Sequence, residues 1–422
     1  MTQQIKNLFN KDKYNFVLCS LIYFLPFSLI TGPFLPDLTI SLMSLIFLTK
    51  ILLKKELKKY FNNIFSYIFF IFYIYIIIRS LTSNNPLLSL ESSLFFIRFL
   101  IFIIVTKYLY ENIKNFNFNF FVAILIPLII IIFDGSMQLF FGHNIFLQDK
   151  PGNRLYLFTS NEWIYGSYAS RILPLLFAFV FLNTYKSFIF ILIAITVLVM
   201  FDLLIFSSGE RVAFFLLSLS TVYIIILTKK YKYIRLISLI ISIFFIYLLL
   251  TFSTEIKYRM IDQTAEQIGL GYEYTNIFSD QHQRHYFTAY KMFIDKPIFG
   301  HGPKMFREVC KEAEYKHFNG CSTHPHNVPL HFLSETGIIG FFFYLAIVFY
   351  LSTVSLRQFY LKFIKKSFYI EDHKICLLAC ILISSWPLIP SGSIFNNWLA
   401  IINFLPIGFL LSNNNQKDLQ IK

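Results

Sequence analysis

Residues 309–340, VCKEAEYKHFNGCSTHPHNVPLHFLSETGIIG, join the longest polar segment of this chain to a strongly apolar one. The stretch holds His317, His324, His326 and His331, two prolines, and Glu335 within its apolar part. His326-Asn327 is followed by nine residues and then by Gly337-Ile-Ile-Gly340. Asn327 is a good helix N-cap and Pro329 is tolerated in a first turn, so a helix is predicted to begin here. His326 would stand just outside it, beside free N–H groups and the positive end of the dipole. Asn327, His331 and Glu335 recur every four residues and share a face. At a rise of about 1.5 Å per residue, Glu335 lies roughly 12 Å below Asn327. An acid that deep is costly unless it faces a wet or paired cavity. Gly337 and Gly340 remove bulk where neighbouring helices can approach closely. A soluble loop turning into a membrane helix is the reading, with the chemistry at the membrane surface.

Composition widens that reading to the whole chain. Of 422 residues, 56% are hydrophobic and 14% charged, against about 45–50% and about 25% in soluble domains. Apolar runs of about 18 or more residues recur throughout, each a spanning candidate. An all-α polytopic fold of about twelve spans is predicted, near 14–31, 36–53, 63–80, 87–108, 117–141, 163–183, 188–206, 211–228, 234–252, 328–356, 374–390 and 394–412. Residues 1–252 would hold helices one to nine, 253–327 a partly helical loop subdomain, and 328–422 the last three helices and a cytoplasmic tail. The first span lacks a small-residue cleavage site and reads as a retained helix.

With both termini cytoplasmic, 22 lysines and arginines fall on the cytoplasmic side, Lys50, Lys54, Lys230 and Arg235 among them. Four (Arg79, Lys150, Arg154 and Arg211) fall in the short loops opposite. The positive-inside rule then fixes the orientation. The net charge of +14 is spent on topology and needs no nucleic acid partner.

Several polar residues stand out against this background. Arg98, inside the fourth span, makes either an ion pair or a ligand contact. Asp134 and Gln138 share a helix face four residues apart. In the following loop Arg154, Glu162 and Arg171 border the start of the sixth span, either as an ordinary polar loop or as an anion pocket. SSGER (207–211) delivers Arg211 to a helix N-terminus, a place suited to phosphate as well as to a snorkelling anchor.

Residues 253–327 carry nine Lys/Arg and nine Asp/Glu, and seven of the nine histidines fall between His282 and His331. Tyr286, Phe287, Tyr290, Phe293 and Ile294 form an apolar stripe with Arg284, Thr288 and Lys291 on the other face. Phe306, Val309, Cys310 and Ala313 give a second, shorter stripe. Cys310 and Cys321 flank an Asn319-Gly320 turn in an oxidising compartment, and a disulfide is expected between them. The histidine spacing matches no common zinc site, and no serine-hydrolase elbow or phosphate-binding glycine loop is present. Arg211 and Arg284 offer planar donors suited to a diphosphate, and a histidine can take a proton from an attacking sugar hydroxyl.

The pattern His-Asn, nine residues, Gly-x-x-Gly resembles the motif of the bacterial O-antigen ligase and polymerase family. The segments SGERVAFF around Arg211 and QRHYFTAYKMFIDKPIFGHG around Arg284 resemble that family's arginine segments. The resemblance covers most of the chain: many spans, one large late periplasmic loop and the motif at its exit. It implies an inner-membrane enzyme with its site facing the periplasm, acting among membrane lipids without metal or cofactor. Its donor would be an undecaprenyl-diphosphate-linked glycan and its acceptor lipid A–core or another glycan. His326 would be the base, with His324 an alternative two residues before it, and Arg211 and Arg284 would hold the diphosphate. His324, Asn327, Glu335, Arg154, Glu162 and Arg171 are candidate substrate contacts, and Gly337, Gly340, Cys310 and Cys321 structural ones. Polymerases and protein-directed oligosaccharide ligases share the motif. A lipid-linked glycan transporter is the reading from another class, but the chain shows one polar-rich helix entry where transporters show paired broken helices.

Overall fold

Apolar runs interrupted by Pro, Gly and Asn dictate a bundle, because a backbone in lipid must satisfy its own hydrogen bonds. The computed structural model describes residues 12–150, 152, 154–156, 165–182, 188–230, 232–270, 278–395 and 397–412. Each predicted span coincides with a helix over most of its length: α1 (Lys13–Ser28), α2 (Phe34–Leu53), α3 (Ile64–Leu81), α4 (Pro86–Asn112), α5 (Phe116–Phe140) and α6 (Tyr165–Leu182). Then come α7 (Phe188–Ser207), α8 (Arg211–Leu227), α9 (Lys232–Phe252), α10 (Asp280–Asp295) in the loop subdomain, α11 (Val328–Phe363), α12 (Asp372–Ser385) and α13 (Asn397–Leu410). Among the described residues there is no strand, and seven helices are long and apolar enough to cross a membrane: α2 to α6, α9 and α11. Helices α8 and α13 are shorter, at 17 and 14 residues.

The loops sort to two ends. At one end Arg79 donates to the Gly300 carbonyl, Lys304 pairs with Glu91, Lys150 with Glu255, and Arg211 reaches Thr264. At the other, the Asp372 carboxylate accepts from the Lys229 and Lys230 amides, and Lys362 donates to the carbonyls of Ile226 and Thr228. The loop subdomain thus sits at the end opposite Lys230.

Four expectations are corrected. Arg235 is no loop charge: it lies within α9, fully buried, its guanidinium on both Asp202 oxygens at 2.6 and 2.9 Å. The apolar stripe of α10 faces outward. Phe287, Tyr290 and Ile294 are 48%, 52% and 57% exposed, whereas His285, Thr288, Ala289 and Met292 are buried. The inward side of the helix carries His285, which donates to the Gly320 carbonyl, and Ala289 and Met292, which join the subdomain core. Phe306, Val309 and Cys310 do join the small core with Met292 and Met305, but Ala313 is exposed. Finally, α12 stops at Ser385, since Pro387, Pro390 and Gly392 cannot continue it, and residues 386–395 form a loop.

Arg98 makes a structural ion pair, with Asp37 at 2.6 Å and Ser41 at 3.1 Å. Asp134 and Gln138 fasten the next loop to α5 by accepting from the amides of Ile145 and Tyr156.

The expected helix at Asn327 forms, with Asn327 Oδ1 accepting from the Leu330 amide at 3.1 Å. It then breaks at Gly337, whose φ of 61° and ψ of −167° belong to a region essentially restricted to glycine. Residues 297–302 fill the break. The Pro297 carbonyl accepts from the Ile338 amide at 2.8 Å, and the Ser334 and Glu335 carbonyls accept from the His301 and Gly302 amides at 3.0 and 2.7 Å. Gly337 thus makes room for a loop and not for a neighbouring helix. Gly340 makes room for neither: a Cβ there would meet the Thr336 side chain of its own helix.

Candidate functional site

Two clusters face each other where the loop subdomain meets the bundle. The first is built on the Ser207-Ser-Gly-Glu-Arg211 turn. Arg211 opens α8 and donates to Thr264 at 3.2 Å and Gln267 at 2.6 Å, both neutral partners that leave its charge available. Arg259 donates to the Gly209 carbonyl at 3.1 Å. Glu210 is wedged against the start of α6, accepting from the Gly166 and Ser167 amides at 2.6 and 3.0 Å. Arg154 and Arg171 both lie within electrostatic reach of it. Burial pushes the Glu210 carboxyl up to about 7, against the lowering effect of those amides and Arg154. Burial likewise lowers Arg154, while Glu210 opposes the shift. Four arginines stand here against one carboxylate, an excess of positive charge whose chemistry suits an anion. Glu162 lies outside the described residues.

The second cluster is a group of imidazoles. His326 stands immediately before α11 in the left-handed region, at φ 57°, uncommon for a residue with a Cβ. Its carbonyl is held by the Ser391 amide at 2.9 Å and the Tyr286 hydroxyl at 3.4 Å. The ring lies 4.0 Å from that of His324, 5.4 Å from His285 and 5.6 Å from His282 between centroids. Burial lowers His326 to about 4, helped by His282, His285 and His331. His282 falls to about 4 and His324 to about 2, again chiefly through burial, with Arg211 contributing at His282. These rings are therefore neutral near pH 7.

Their hydrogen bonds separate them. His324 uses both nitrogens, on the Ser391 carbonyl at 3.2 Å and the Thr323 hydroxyl at 2.9 Å. His285 donates from Nδ1 to the Gly320 carbonyl at 2.9 Å. His331 meets Glu335 at 3.0 Å and accepts from the Ile394 amide at 3.5 Å. The Ser391 backbone also reaches the His326 ring, raising it against the effect of burial. Of the two candidate bases, His324 has a partner on each ring nitrogen, and His326 shares the Ser391 backbone with it.

Other predicted contacts have different work. Both ends of the Asn327 amide are used, one as the cap and one donating to the Pro387 carbonyl at 2.8 Å. Glu335 faces no cavity. Its carboxylate accepts from the Lys304 and Phe306 amides at 2.8 and 3.0 Å, clamping residues 300–306 to α11. Arg284 is turned away from His326, on the other side of α10 from His282 and His285. It pairs with Asp280 at 2.7 Å and donates to the Phe318 carbonyl at 3.0 Å. Cys310 and Cys321 are bridged, Cα atoms 5.3 Å apart, which ties the segment before His324 to the subdomain core. Among the described residues, no three histidine, cysteine or acidic side chains converge as a metal would need.

Arg259, Glu210 as a cap, and the pair His282 and His285 were not singled out from sequence. The three-residue spacing of those histidines on one helix was the available signal. Loop 386–395 touches His324, His326, Asn327 and His331, and its residues 386–390 and 394–395 fall within the predicted spans.

No curated protein matches the chain. Residues 194–345, the stretch from α7 to α11 that carries Arg211, Arg284 and His326, match the family model described as O-antigen ligase, so the resemblance first read in His326-Asn327 is that of an O-antigen ligase-type domain.

Proposed function

We propose that the chain transfers a glycan from an undecaprenyl-diphosphate-linked donor to an acceptor hydroxyl on lipid A–core, at the periplasmic face of the bacterial inner membrane. The observation that carries this is His326: a neutral imidazole beside the Ser391 backbone, held at positive φ at a helix start, across His282 from Arg211. In this reading the arginines hold the donor's diphosphate. His326 takes the proton of the acceptor hydroxyl, whose oxygen attacks the anomeric carbon. The bond from that carbon to the diphosphate oxygen breaks, and the leaving group departs with the electron pair onto a site of fixed positive charge. Arg154, Arg171 and Arg259 supplement Arg211 there.

The test is the surface glycolipid pattern of a strain lacking the protein, run on a gel beside a strain carrying His326→Ala. Bare lipid A–core with accumulating lipid-linked polymer is expected from both. Core bearing a single repeat would assign polymerisation in place of ligation, and an unchanged pattern would remove both.

A further inference from the structure

Loop 386–395 lies outside the stretch that matches the family, yet it spans the gap between the two clusters. At its first end, Trp386 follows Ser385, whose carbonyl accepts from the Tyr344 hydroxyl at 2.9 Å. The indole packs on Leu216, Ile383 and Ile389, a cluster that Val212, the neighbour of Arg211, also joins. At its other end, Ser391 grips both histidines through its backbone, donating to the His326 carbonyl and accepting from His324. The loop is thus fixed at the arginine side by packing and at the histidine side by hydrogen bonds.

Two of its polar atoms have no hydrogen-bond partner although both are buried: Trp386 Nε1 and Ser391 Oγ. Such groups are few in folded proteins, and each asks for a partner that the protein itself does not provide. We propose that this loop is a carbohydrate subsite, holding the sugar ring that the donor carries next to its diphosphate. The half-buried Trp386 indole supplies an apolar face and one N–H, and the Ser391 hydroxyl supplies a second polar contact.

The chemistry favours a sugar over the other parts of such a donor. Neither group is charged, so the diphosphate belongs with the arginines. A prenyl tail has no use for an N–H and a hydroxyl, whereas a pyranose offers an apolar face and a rim of hydroxyls together. Placement favours the first sugar. The reacting carbon must lie between its leaving group at Arg211 and the base at His326, and the loop bridges that interval. The inference rests on the transfer reaction proposed above.

The experiment uses the full chain in detergent with two probes, undecaprenyl diphosphate and undecaprenyl diphosphate bearing one N-acetylhexosamine. Trp163, Trp386 and Trp398 are the three tryptophans, so Trp163→Phe with Trp398→Phe leaves Trp386 as the sole emitter. The sugar-bearing probe should quench its emission and the bare one should not. In the otherwise native chain, Trp386→Phe, which keeps a ring but removes the N–H, should weaken the sugar-bearing probe by about tenfold, the scale of one buried hydrogen bond. Its affinity for the bare probe should stay unchanged. Equal quenching, or equal weakening of both probes, overturns the subsite. Should both probes bind in an Arg211-dependent way while Trp386→Phe weakens neither, the subsite alone fails. Should neither probe bind the native chain, the transfer reaction fails with it.

Discussion

At the scale of single residues, the site separates groups that hold structure from groups left available for chemistry. His324, Asn327 and Glu335 all sit close to His326, yet each has its polar atoms engaged by protein. His326 meets the Ser391 backbone, and burial keeps it neutral far below the usual 6.5. If it is the base, kcat/KM should hold level as pH falls through 6.5 and drop only near 4, because that ratio reports the free enzyme. The limb in kcat should lie higher, since a bound diphosphate stabilises the protonated ring. A kcat/KM limb at 6.5 would remove His326 from the role. Arg284 invites a separate test. Its bond to Asp280 is an exposed i,i+4 pair, worth about 0–1 kcal/mol, so releasing it costs little. If Arg284 swings over to hold the diphosphate, Asp280→Asn should lower the donor KM by up to about fivefold, and Arg284→Ala should raise it. No change in either variant would leave Arg284 as a structural residue of α10.

At the scale of elements, the break in α11 joins subdomain to bundle. Gly300 and Gly337 lie against one another's backbone: a Cβ on Gly300 would meet backbone atoms of Glu335, Thr336 and Gly337 at 2.5 Å, and one on Gly337 would meet the Ile298 carbonyl. The two glycines of the motif therefore differ. Gly337→Ala adds strain of about 1–3 kcal/mol in a glycine-only region, with a clash against fixed backbone besides. Gly340→Ala would put its Cβ 2.3 Å from the Thr336 Cβ, which side-chain rotation does not move, so this turn must shift, but no strained φ is imposed. Gly337→Ala should cut folded yield and transfer sharply while Gly340→Ala cuts both less, measured by detergent-extracted yield and by ligation in cells. Equal effects would mean that the break does not join the two parts. The sequence carried the cap at Asn327 and the need for two small residues, because both are local. It did not carry the break, because the loop that fills it comes from residues 297–302. Nor did it carry the outward face of α10, since periodicity marks an apolar stripe without saying what covers it.

For the whole molecule, span positions were legible because lipid imposes one rule on every segment, and the two-ended sorting of loops follows from the same rule. The convergence of α8, α10, α11 and loop 386–395 on one site was not, as it depends on contacts between residues far apart in sequence, such as Leu216 with Ile389 and His324 with Ser391. That convergence buries several imidazoles, and a consequence for stability follows. His282, His301, His324 and His326 are held neutral in the fold, each lowered chiefly by burial to about 4, or to about 2 for His324. Unfolded, each would take a proton near 6.5. Between 6.5 and 4 the unfolded chain therefore binds more protons than the folded one, and stability falls as pH falls through that window. His301 isolates the effect, because it lies away from the proposed base, bonded to the Met292 carbonyl at 3.0 Å. The thermal midpoint of the purified chain in detergent should drop from pH 7 to pH 4.5, and His301→Gln, which cannot take the proton, should flatten part of that drop. A midpoint that is level across the window, or a slope unchanged by His301→Gln, would mean that these rings stay solvated enough to titrate as they do in water.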